Sequence, residues 1–217
     1  MNIEQARFNM IEQQIRPWNV LDQDVLDLLH VVKREQFVPE AYRNLAFADV
    51  EVPLPGGEAM FTPKIEARIL QELMVKPNET VLEVGAGSGY MAALLAHKAR
   101  QVTTVEINPE LKEMAEKNLA AAGITNVTVE LGNGAEGWAK GAPYDVIVIS
   151  GGLEVVPDTL LKQLKVGGRL AAIVGEPPAM SCNIITRVSE TAYDTVKVFE
   201  TNVKPLTGAP QLSRFEF

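Results

Sequence analysis

The feature that most limits the possible folds of this chain is a regular alternation of two kinds of segment after residue 79. Short runs rich in valine and isoleucine alternate with segments of helical period. The apolar runs read TVLEV, QVTTVEI, NVTVEL, YDVIVIS and GRLAAIV, and the helical segments read SGYMAALLAHKA, PELKEMAEKNLAAAG and PDTLLKQL. Strands joined by helices of this length run parallel in a sheet that is covered on both faces. The pattern predicts an α/β protein with a mostly parallel sheet.

Two segments near the end of the chain extend this sheet in a different way. SCNIITRVSE and DTVKVFETNV are both β-rich, and only a short turn near Glu190 separates them. Such a short connection allows antiparallel pairing only, so we expect an antiparallel hairpin at one edge of the sheet. The sheet then has seven strands.

The first part of the chain is predicted to be helical and then irregular. Apolar residues at helical spacing predict a helix over residues 3–16 and a second helix from about Asp22. Residues 38–63 are rich in proline and glycine but contain bulky apolar side chains, which favours an ordered functional loop. We expect a single domain over residues 1–217, with helices and the loop in 1–62 and the sheet in 63–217.

Composition excludes several classes of function. A net charge of −8 argues against general affinity for nucleic acid or for an anionic membrane surface. The single cysteine, Cys182, excludes an intramolecular disulfide and a cysteine-based metal site, and the two scattered histidines, His30 and His97, are too few for a His-rich metal centre. No run is long and apolar enough for a signal peptide or a membrane span. The expectation is a soluble cytoplasmic protein.

The stretch VLEVGAGSGY, residues 81–90, joins the first strand of the alternating region to a helix. Three glycines at alternate positions let a ligand approach the backbone closely, and the helix N-terminus adds hydrogen-bond donors. The spacing is one residue shorter than that of the dinucleotide fingerprint, and an acid lies two residues before the first glycine. This arrangement is typical of S-adenosylmethionine-dependent methyltransferases. The predicted cofactor-binding residues here are Glu83, Gly85, Ala86, Gly87, Ser88 and Gly89.

The ends of the following strands carry further candidate side chains. Glu106 ends the second strand and is placed to accept hydrogen bonds from ribose hydroxyls. Asn133 follows the third strand and is placed to bind an adenine edge, and Ser150 ends the fourth strand. Because ligands of open α/β sheets bind at the carboxyl ends of the strands, these groups should lie close together. The predicted cofactor-binding residues in these places are Glu106, Ile107, Asn133, Gly134 and Ser150.

Over almost its whole length the chain resembles the protein-L-isoaspartate O-methyltransferase family. The likeness is carried by MIEQQIRPWNVLDQDVLDLLHVVKREQFVPEAYRNLAFAD, by VLEVGAGSGY and by YDVIVISGGLEVVPDTLLKQLKVGGRLAAIVG. It implies a Rossmann-like S-adenosylmethionine-dependent methyltransferase fold with a helical N-terminal extension, and a family-specific order of the last two strands. It also implies S-adenosylmethionine as cofactor and an isoaspartyl carboxylate in damaged protein as acceptor.

The sequence departs from the family at the loop before the sheet. The family motif resembles GQTISAPHMHA, whereas residues 57–67 read GEAMFTPKIEA. The serine regarded as the family's active-site residue falls on Phe61, and the two histidines fall on Lys64 and Glu66. Losing the hydroxyl removes a hydrogen-bond donor and adds bulk. The residues nearest to the lost serine, and the candidates for the catalytic position, are Phe61 itself and the neighbouring Thr62.

Two alternatives to isoaspartate methylation stay open on these residues. One is a methyltransferase of the same fold that acts on a different acceptor, such as a small molecule. The other is a cofactor-binding protein without catalysis, acting through a partner; an apolar tail with Phe215 and Phe217, expected to dock on the domain or on a partner, is compatible with it. The sequence leaves the oligomeric state undetermined.

Overall fold

The computed structural model describes residues 2–211, so the predicted docking of Phe215 and Phe217 lies outside the described residues. The α-helices are α1 (Ile3–Met10), α2 (Gln23–Val31), α3 (Pro63–Leu73), α4 (Tyr90–Lys98), α5 (Pro109–Ala121) and α6 (Asp158–Lys162). The strands are β1 (Val52–Pro53), β2 (Ala59–Met60), β3 (Thr80–Val84), β4 (Gln101–Glu106), β5 (Val127–Leu131), β6 (Tyr144–Leu153), β7 (Leu164–Glu176), β8 (Ala179–Arg187) and β9 (Tyr193–Glu200).

Seven of these strands form one sheet in the order β5-β4-β3-β6-β7-β8-β9. The first five strands in this order, β5, β4, β3, β6 and β7, are parallel to one another. Strands β8 and β9 pair antiparallel at the other edge. The predicted mostly parallel seven-stranded sheet with a terminal antiparallel hairpin is therefore confirmed. Because β3 is paired with β4 on one side and with β6 on the other, the chain reverses its direction of progress across the sheet beside β3. Open α/β sheets bind ligands at such a reversal.

The sheet is covered on both faces, and alternate residues of each central strand face opposite layers. On β6, Val146 and Val148 pack against the N-terminal helices together with α3 and α4, whereas Ile147 and Ile149 pack on the side of α6. All four of these side chains are fully buried. A strand buried on both faces has the continuous apolar sequence that marked the central strands in the first place.

The predicted helical segment 3–16 is helical in the structure and continues to Trp18, but it is not one regular helix. After α1 the chain makes a π-helical turn over Ile11–Ile15 and a 3₁₀ turn over Arg16–Trp18. Pro17 contributes no N–H to the helical hydrogen bonds, so a regular α-helix cannot continue through it. Asp22 caps α2 as expected, because its carboxylate accepts hydrogen bonds from the first backbone N–H groups of that helix.

The proline- and glycine-rich segment before α3 is ordered. It contains a 3₁₀ helix at Glu40–Leu45 and the short antiparallel pair β1–β2, connected by a turn at Pro55–Gly57. Its bulky apolar side chains, including Phe47 and Met60, are buried in the core that the N-terminal helices share with the sheet. This packing holds the loop over the carboxyl ends of the strands.

Candidate functional site

A cavity of about 230 Å³ opens where the strands β3, β4 and β6 end. Its walls are formed by the glycine-rich turn after β3, the ends of β4 and β6, the loop after β5, the β1–β2 loop and the C-terminal segment. The predicted cofactor-binding residues that line it are Glu83, Gly85, Ala86, Gly87, Ser88, Glu106, Ile107, Asn133, Gly134 and Ser150. Strand ends that are separated by up to 67 positions in the sequence are thus brought to one place.

Gly89 is the member of the glycine motif that does not line this cavity. It precedes α4 with φ +85°, and a Cβ atom built on it would lie 3.3 Å from the Cα and the carbonyl oxygen of Ala115 on α5. The third glycine therefore allows two helices to approach each other beside the turn. Its role is in packing, and the groups that face the cavity are those of the preceding residues.

Glu83 is completely buried at the floor of the cavity. One carboxylate oxygen accepts a hydrogen bond from the hydroxyl of Thr104 at 2.7 Å, and the other accepts one from Ser150 at 2.9 Å. Burial raises the pKa of Glu83 to about 8, although both hydrogen bonds favour the charged form. An acid held in this state ionises readily when a cation enters the cavity.

Glu106 is almost fully buried, and its carboxylate closes the turn from the neighbouring strand. It accepts hydrogen bonds from the backbone N–H groups of Gly87 and Asn108, both at 2.9 Å. These contacts fix the carboxylate beside the glycine-rich turn and leave its further lone pairs available to ligand hydroxyls. The position is the one expected from the sequence.

Asn133 lies at the rim, where its side chain connects the loop after β5 to the C-terminal segment. Its Oδ1 accepts a hydrogen bond from Ala135 N–H at 2.9 Å, and its Nδ2 donates to the carbonyl of Gly208 at 3.0 Å. The neighbouring Gly134 fits closely between Val84 and Val105. One amide hydrogen of Asn133 is thus used within the chain.

The C-terminal segment, residues 204–208, crosses the mouth of the cavity. Lys204 forms an ion pair with Glu58 at 2.9 Å, and the hydroxyl of Thr207 donates to the same carboxylate. On the other side, the backbone of this segment exchanges hydrogen bonds with Gly152 at the end of β6. The segment therefore links the β1–β2 loop to the sheet, which the sequence did not predict.

The two candidates for the catalytic position are placed differently. Phe61 lines the cavity and is 8% exposed, so a phenyl ring forms part of the wall. Thr62 is not among the lining residues, and its hydroxyl oxygen is enclosed without a hydrogen-bond partner among the described residues. Thr62 is the N-cap residue of α3, and its side chain makes no capping hydrogen bond there. Thr62 thus does not present its hydroxyl to the cavity.

Lys64, at the position of the family's first histidine, is engaged elsewhere. Its ammonium group pairs with Asp49 at 2.6 Å and lies 5.1 Å from the ring centroid of Trp18. It does not line the cavity formed by the described residues. The ammonium group of Lys64 is therefore paired with Asp49 outside the cavity.

Sequence reasoning missed a buried ion pair beside Phe61. Arg34 and Glu66 are both at least 95% buried, and Arg34 Nε lies 3.2 Å from Glu66 Oε2. The guanidinium also donates to the carbonyl oxygens of Phe61 at 2.6 Å and Ala46 at 3.1 Å. A charged residue at the family's histidine position was visible in the sequence, but its partner lies 32 residues away.

Comparison with known proteins agrees with this geometry. The sequence profile of the family described as Protein-L-isoaspartate(D-aspartate) O-methyltransferase (PCMT) matches residues 5–209. The chain belongs to this family. Protein-L-isoaspartate O-methyltransferase 1 of Rhodopseudomonas palustris (strain HaA2) is 42% identical over 191 residues, which cover 88% of this chain and 77% of the relative. The family is therefore one of S-adenosylmethionine-dependent O-methyltransferases, as the resemblance implied.

Solved structures show the same fold. A protein-L-isoaspartate O-methyltransferase superposes with a TM-score of 0.80 and 25% identity, covering 93% of this chain and 66% of that longer chain. A protein of the same description from Plasmodium falciparum, solved in complex with S-adenosyl-L-homocysteine, gives a TM-score of 0.81 at 19% identity and covers 95% and 99% of the two chains. The Rossmann-like methyltransferase fold is confirmed. Within residues 2–211 no helix has both the length and the apolar character needed to span a bilayer.

Proposed function

We propose that this protein transfers a methyl group from S-adenosylmethionine to the carboxylate of an isoaspartyl residue in a damaged protein or peptide. The observation that carries the proposal is the cavity, because it joins the glycine-rich turn, the two acids at the ends of β3 and β4, and the loop that precedes the sheet. Family membership over residues 5–209 supports the same activity.

The residues around the cavity fit S-adenosylmethionine. Glu83 is a buried carboxyl whose pKa is raised, and it faces a space in which a cationic group would be stabilised by it. Glu106 presents acceptor lone pairs for ribose hydroxyls beside a turn whose backbone is open to close approach. We assign Glu83 to the positively charged end of the cofactor, Glu106 and Ile107 to the ribose, and Asn133 and Gly134 to the base. Ser150 holds Glu83 in place.

When bound, S-adenosylmethionine supplies an electrophilic methyl group on a sulfonium. An acceptor carboxylate is already ionised at neutral pH, so this chain needs no general base. What its own residues provide is alignment and exclusion of water, and correct placement of both reactants contributes about 7–11 kcal/mol in favourable cases. The β1–β2 loop, Phe61 and the segment 204–208 enclose the cavity and serve this purpose.

The test is a methyl-transfer assay with labelled S-adenosylmethionine and a peptide that contains one isoaspartyl residue. We expect a base-labile methyl ester on that peptide, and none on the same peptide with normal aspartate. An authentic repair enzyme is the positive control for the peptide. Absence of the ester, while S-adenosylhomocysteine still binds in calorimetry, would rule out this acceptor and retain the cofactor assignment.

A second acceptor class is favoured by one specific observation. The hydroxyl expected at the catalytic position is replaced by the ring of Phe61, and Lys64 is paired with Asp49. A methyltransferase of this fold that acts on a different, small-molecule acceptor is compatible with that wall. A screen of labelled methyl transfer over carboxylic acids, phenols and amines decides between the two acceptors. Three statements stay predictions from the sequence: that the protein is cytoplasmic, that it has no nucleic-acid partner, and that the chain forms a single domain.

A further inference from the structure

Glu66 holds an unusual position for a glutamate. It lies one turn into α3, is 4% exposed, and lines the cavity close to Phe61. One of its carboxyl oxygens, Oε2, is 3.2 Å from Arg34 Nε. Glu66 and Phe61 are two of the positions at which this chain departs from the family motif.

The second oxygen of Glu66 is the important one. Oε1 accepts no hydrogen bond from the described residues, and it is not among their enclosed, unpartnered polar atoms. Since the side chain lines the cavity, this oxygen is open to the cavity and available to a ligand. A carboxyl oxygen that faces a cavity can form a direct hydrogen bond with a ligand that enters there.

The charged and titratable groups around Glu66 come from three elements. Arg34 approaches from the 3₁₀ helix Arg34–Gln36, Tyr90 from α4 and Glu83 from the end of β3. Burial raises the pKa of Glu66 to about 7, because it outweighs the opposing effect of Arg34. The charge of Glu66 in turn contributes to the raised pKa of Glu83, so the two carboxyls are close enough to interact.

We propose that Glu66 binds the acceptor directly, with its neutral carboxyl donating an O–H hydrogen bond from Oε1 to the acceptor carboxylate. This inference rests on the proposed function. It gives the site a hydrogen-bond donor on the same wall where Phe61 has removed the family's hydroxyl. Arg34 keeps its contacts with Oε2 and with the carbonyl of Phe61, and so holds the donor in position.

Glu66 must be neutral when the acceptor carboxylate binds beside it, because two adjacent negative charges repel each other. An acceptor carboxylate beside an ionised Glu66 would place two anions together in a cavity that already contains Glu83 and Glu106. Two carboxyl groups that share a site retain one proton between them, which relieves the repulsion and forms a strong hydrogen bond. Binding of the acceptor should therefore take up a proton wherever the free enzyme has lost it.

The experiment is calorimetric titration of an isoaspartyl peptide into the full-length protein saturated with S-adenosylhomocysteine. We expect binding to weaken about tenfold between pH 6 and pH 8, as Glu66 ionises with a pKa of about 7. Repeating the titration in buffers of different ionisation enthalpy should show proton uptake that rises toward one proton per peptide at the higher pH. The affinity for S-adenosylhomocysteine is measured at each pH, so that titration of Glu83 is accounted for separately.

Two controls isolate Glu66. Glu66→Gln keeps a donor at the same place and stays neutral, so it should bind the peptide with no pH dependence and no proton uptake. Glu113→Gln makes the same chemical change at an exposed position on α5, outside the cavity, and should behave like the unaltered protein. An isoaspartyl peptide whose α-carboxyl is an amide should bind the unaltered protein weakly and without proton uptake.

Each outcome has a defined meaning. Peptide binding that is independent of pH, or equal proton uptake in Glu66→Gln, would overturn the role of Glu66 and leave the proposed function intact. No peptide binding at any pH, with normal affinity for S-adenosylhomocysteine, would overturn both. If Glu66→Gln does not fold, as judged by its melting curve, the acid and amide peptides on the unaltered protein still decide the question.

Discussion

Replacement of Glu83 by glutamine should change the pH dependence of stability in a way that the structure specifies. Glu83 is fully buried and is held by the hydroxyls of Thr104 and Ser150. Its pKa is raised from 4.5 to about 8, mainly by burial. Glutamine has nearly the same shape, accepts from one hydroxyl and donates to the other, and does not ionise. The substitution therefore removes the titration with little change in packing.

The direction and the size of the change in stability with pH follow from the linkage between proton binding and folding. Between pH 4.5 and about 8 the folded protein keeps the proton of Glu83, whereas the unfolded chain has lost it. The stabilisation is fully present below pH 4.5 and is lost as the pH rises through about 8, with a slope of up to about 1.4 kcal/mol per pH unit. The shift of about 3.5 units, from 4.5 to about 8, bounds the total at about 5 kcal/mol.

The assay is urea denaturation of the ligand-free protein at several pH values from 5 to 9. We expect the free energy of unfolding of the unaltered protein to fall by about 3 kcal/mol relative to that of Glu83→Gln between pH 5 and pH 8. Glu66 titrates in both proteins, so the difference between the two curves isolates Glu83. Glu113→Gln is the matched control and should run parallel to the unaltered protein.

Parallel curves for the unaltered protein and Glu83→Gln would refute the reasoning, because they would show that Glu83 has a similar pKa in the folded and unfolded chain. The same variant should bind S-adenosylhomocysteine about 10- to 100-fold more weakly, the range expected for loss of a charged hydrogen-bond partner. Affinity equal to that of the unaltered protein would remove Glu83 from the proposed cofactor site.

Three further changes test other parts of the site. Gly89→Ala should lower the free energy of unfolding by at least about 1 kcal/mol more than Gly123→Ala, since both glycines have positive φ but only Gly89 is packed against a backbone; equal losses in urea denaturation would contradict this. Arg34→Met should destabilise the fold by about 3–5 kcal/mol at pH 8, because Arg34 lowers the pKa of Glu66 and its loss removes the stabilisation of the ionised carboxylate. The loss should be smaller at pH 5, where Glu66 is neutral in both proteins; denaturation at the two pH values measures the difference, and equal losses would disprove it. Phe61→Ser should lower KM for an isoaspartyl peptide by restoring a hydroxyl to the cavity wall, and it should lower the free energy of unfolding by about 3 kcal/mol. An unchanged or higher KM in steady-state assays, with the fold retained, would show that this wall position does not contact the acceptor.

Much of the fold could be predicted because its signals are local. The strands β3 to β9 were visible as short β-rich runs and their helices as segments of helical period, and Asp22 and Pro109 mark helix starts through short-range chemistry. Strand ends were less accurate. The run GRLAAIV predicted part of β7, but the strand extends over Leu164–Glu176 because pairing with both β6 and β8 orders residues that have no strand signal of their own.

Some residues of the candidate site could likewise be predicted from local sequence signals, and others could not. Glu83, Glu106 and the glycine-rich turn were predicted because the ends of neighbouring parallel strands must meet at one edge of the sheet. Thr62 could not be judged from the sequence, since the direction of its hydroxyl depends on how α3 begins and packs. The crossing of the cavity by residues 204–208 could not be predicted either, because its contacts with Gly57 and Glu58 span nearly 150 residues of sequence.

By itself, then, the sequence determined the α/β class, the place where a ligand enters and the family, since each depends on periodicity or on motifs of a few adjacent residues. Only the tertiary structure decided what the acceptor wall contains. It paired Arg34 with Glu66, turned Lys64 to Asp49 and left one oxygen of Glu66 open to the cavity. Burial and distance between residues far apart in the chain fix the protonation and the contacts of these groups, and no local pattern encodes either quantity.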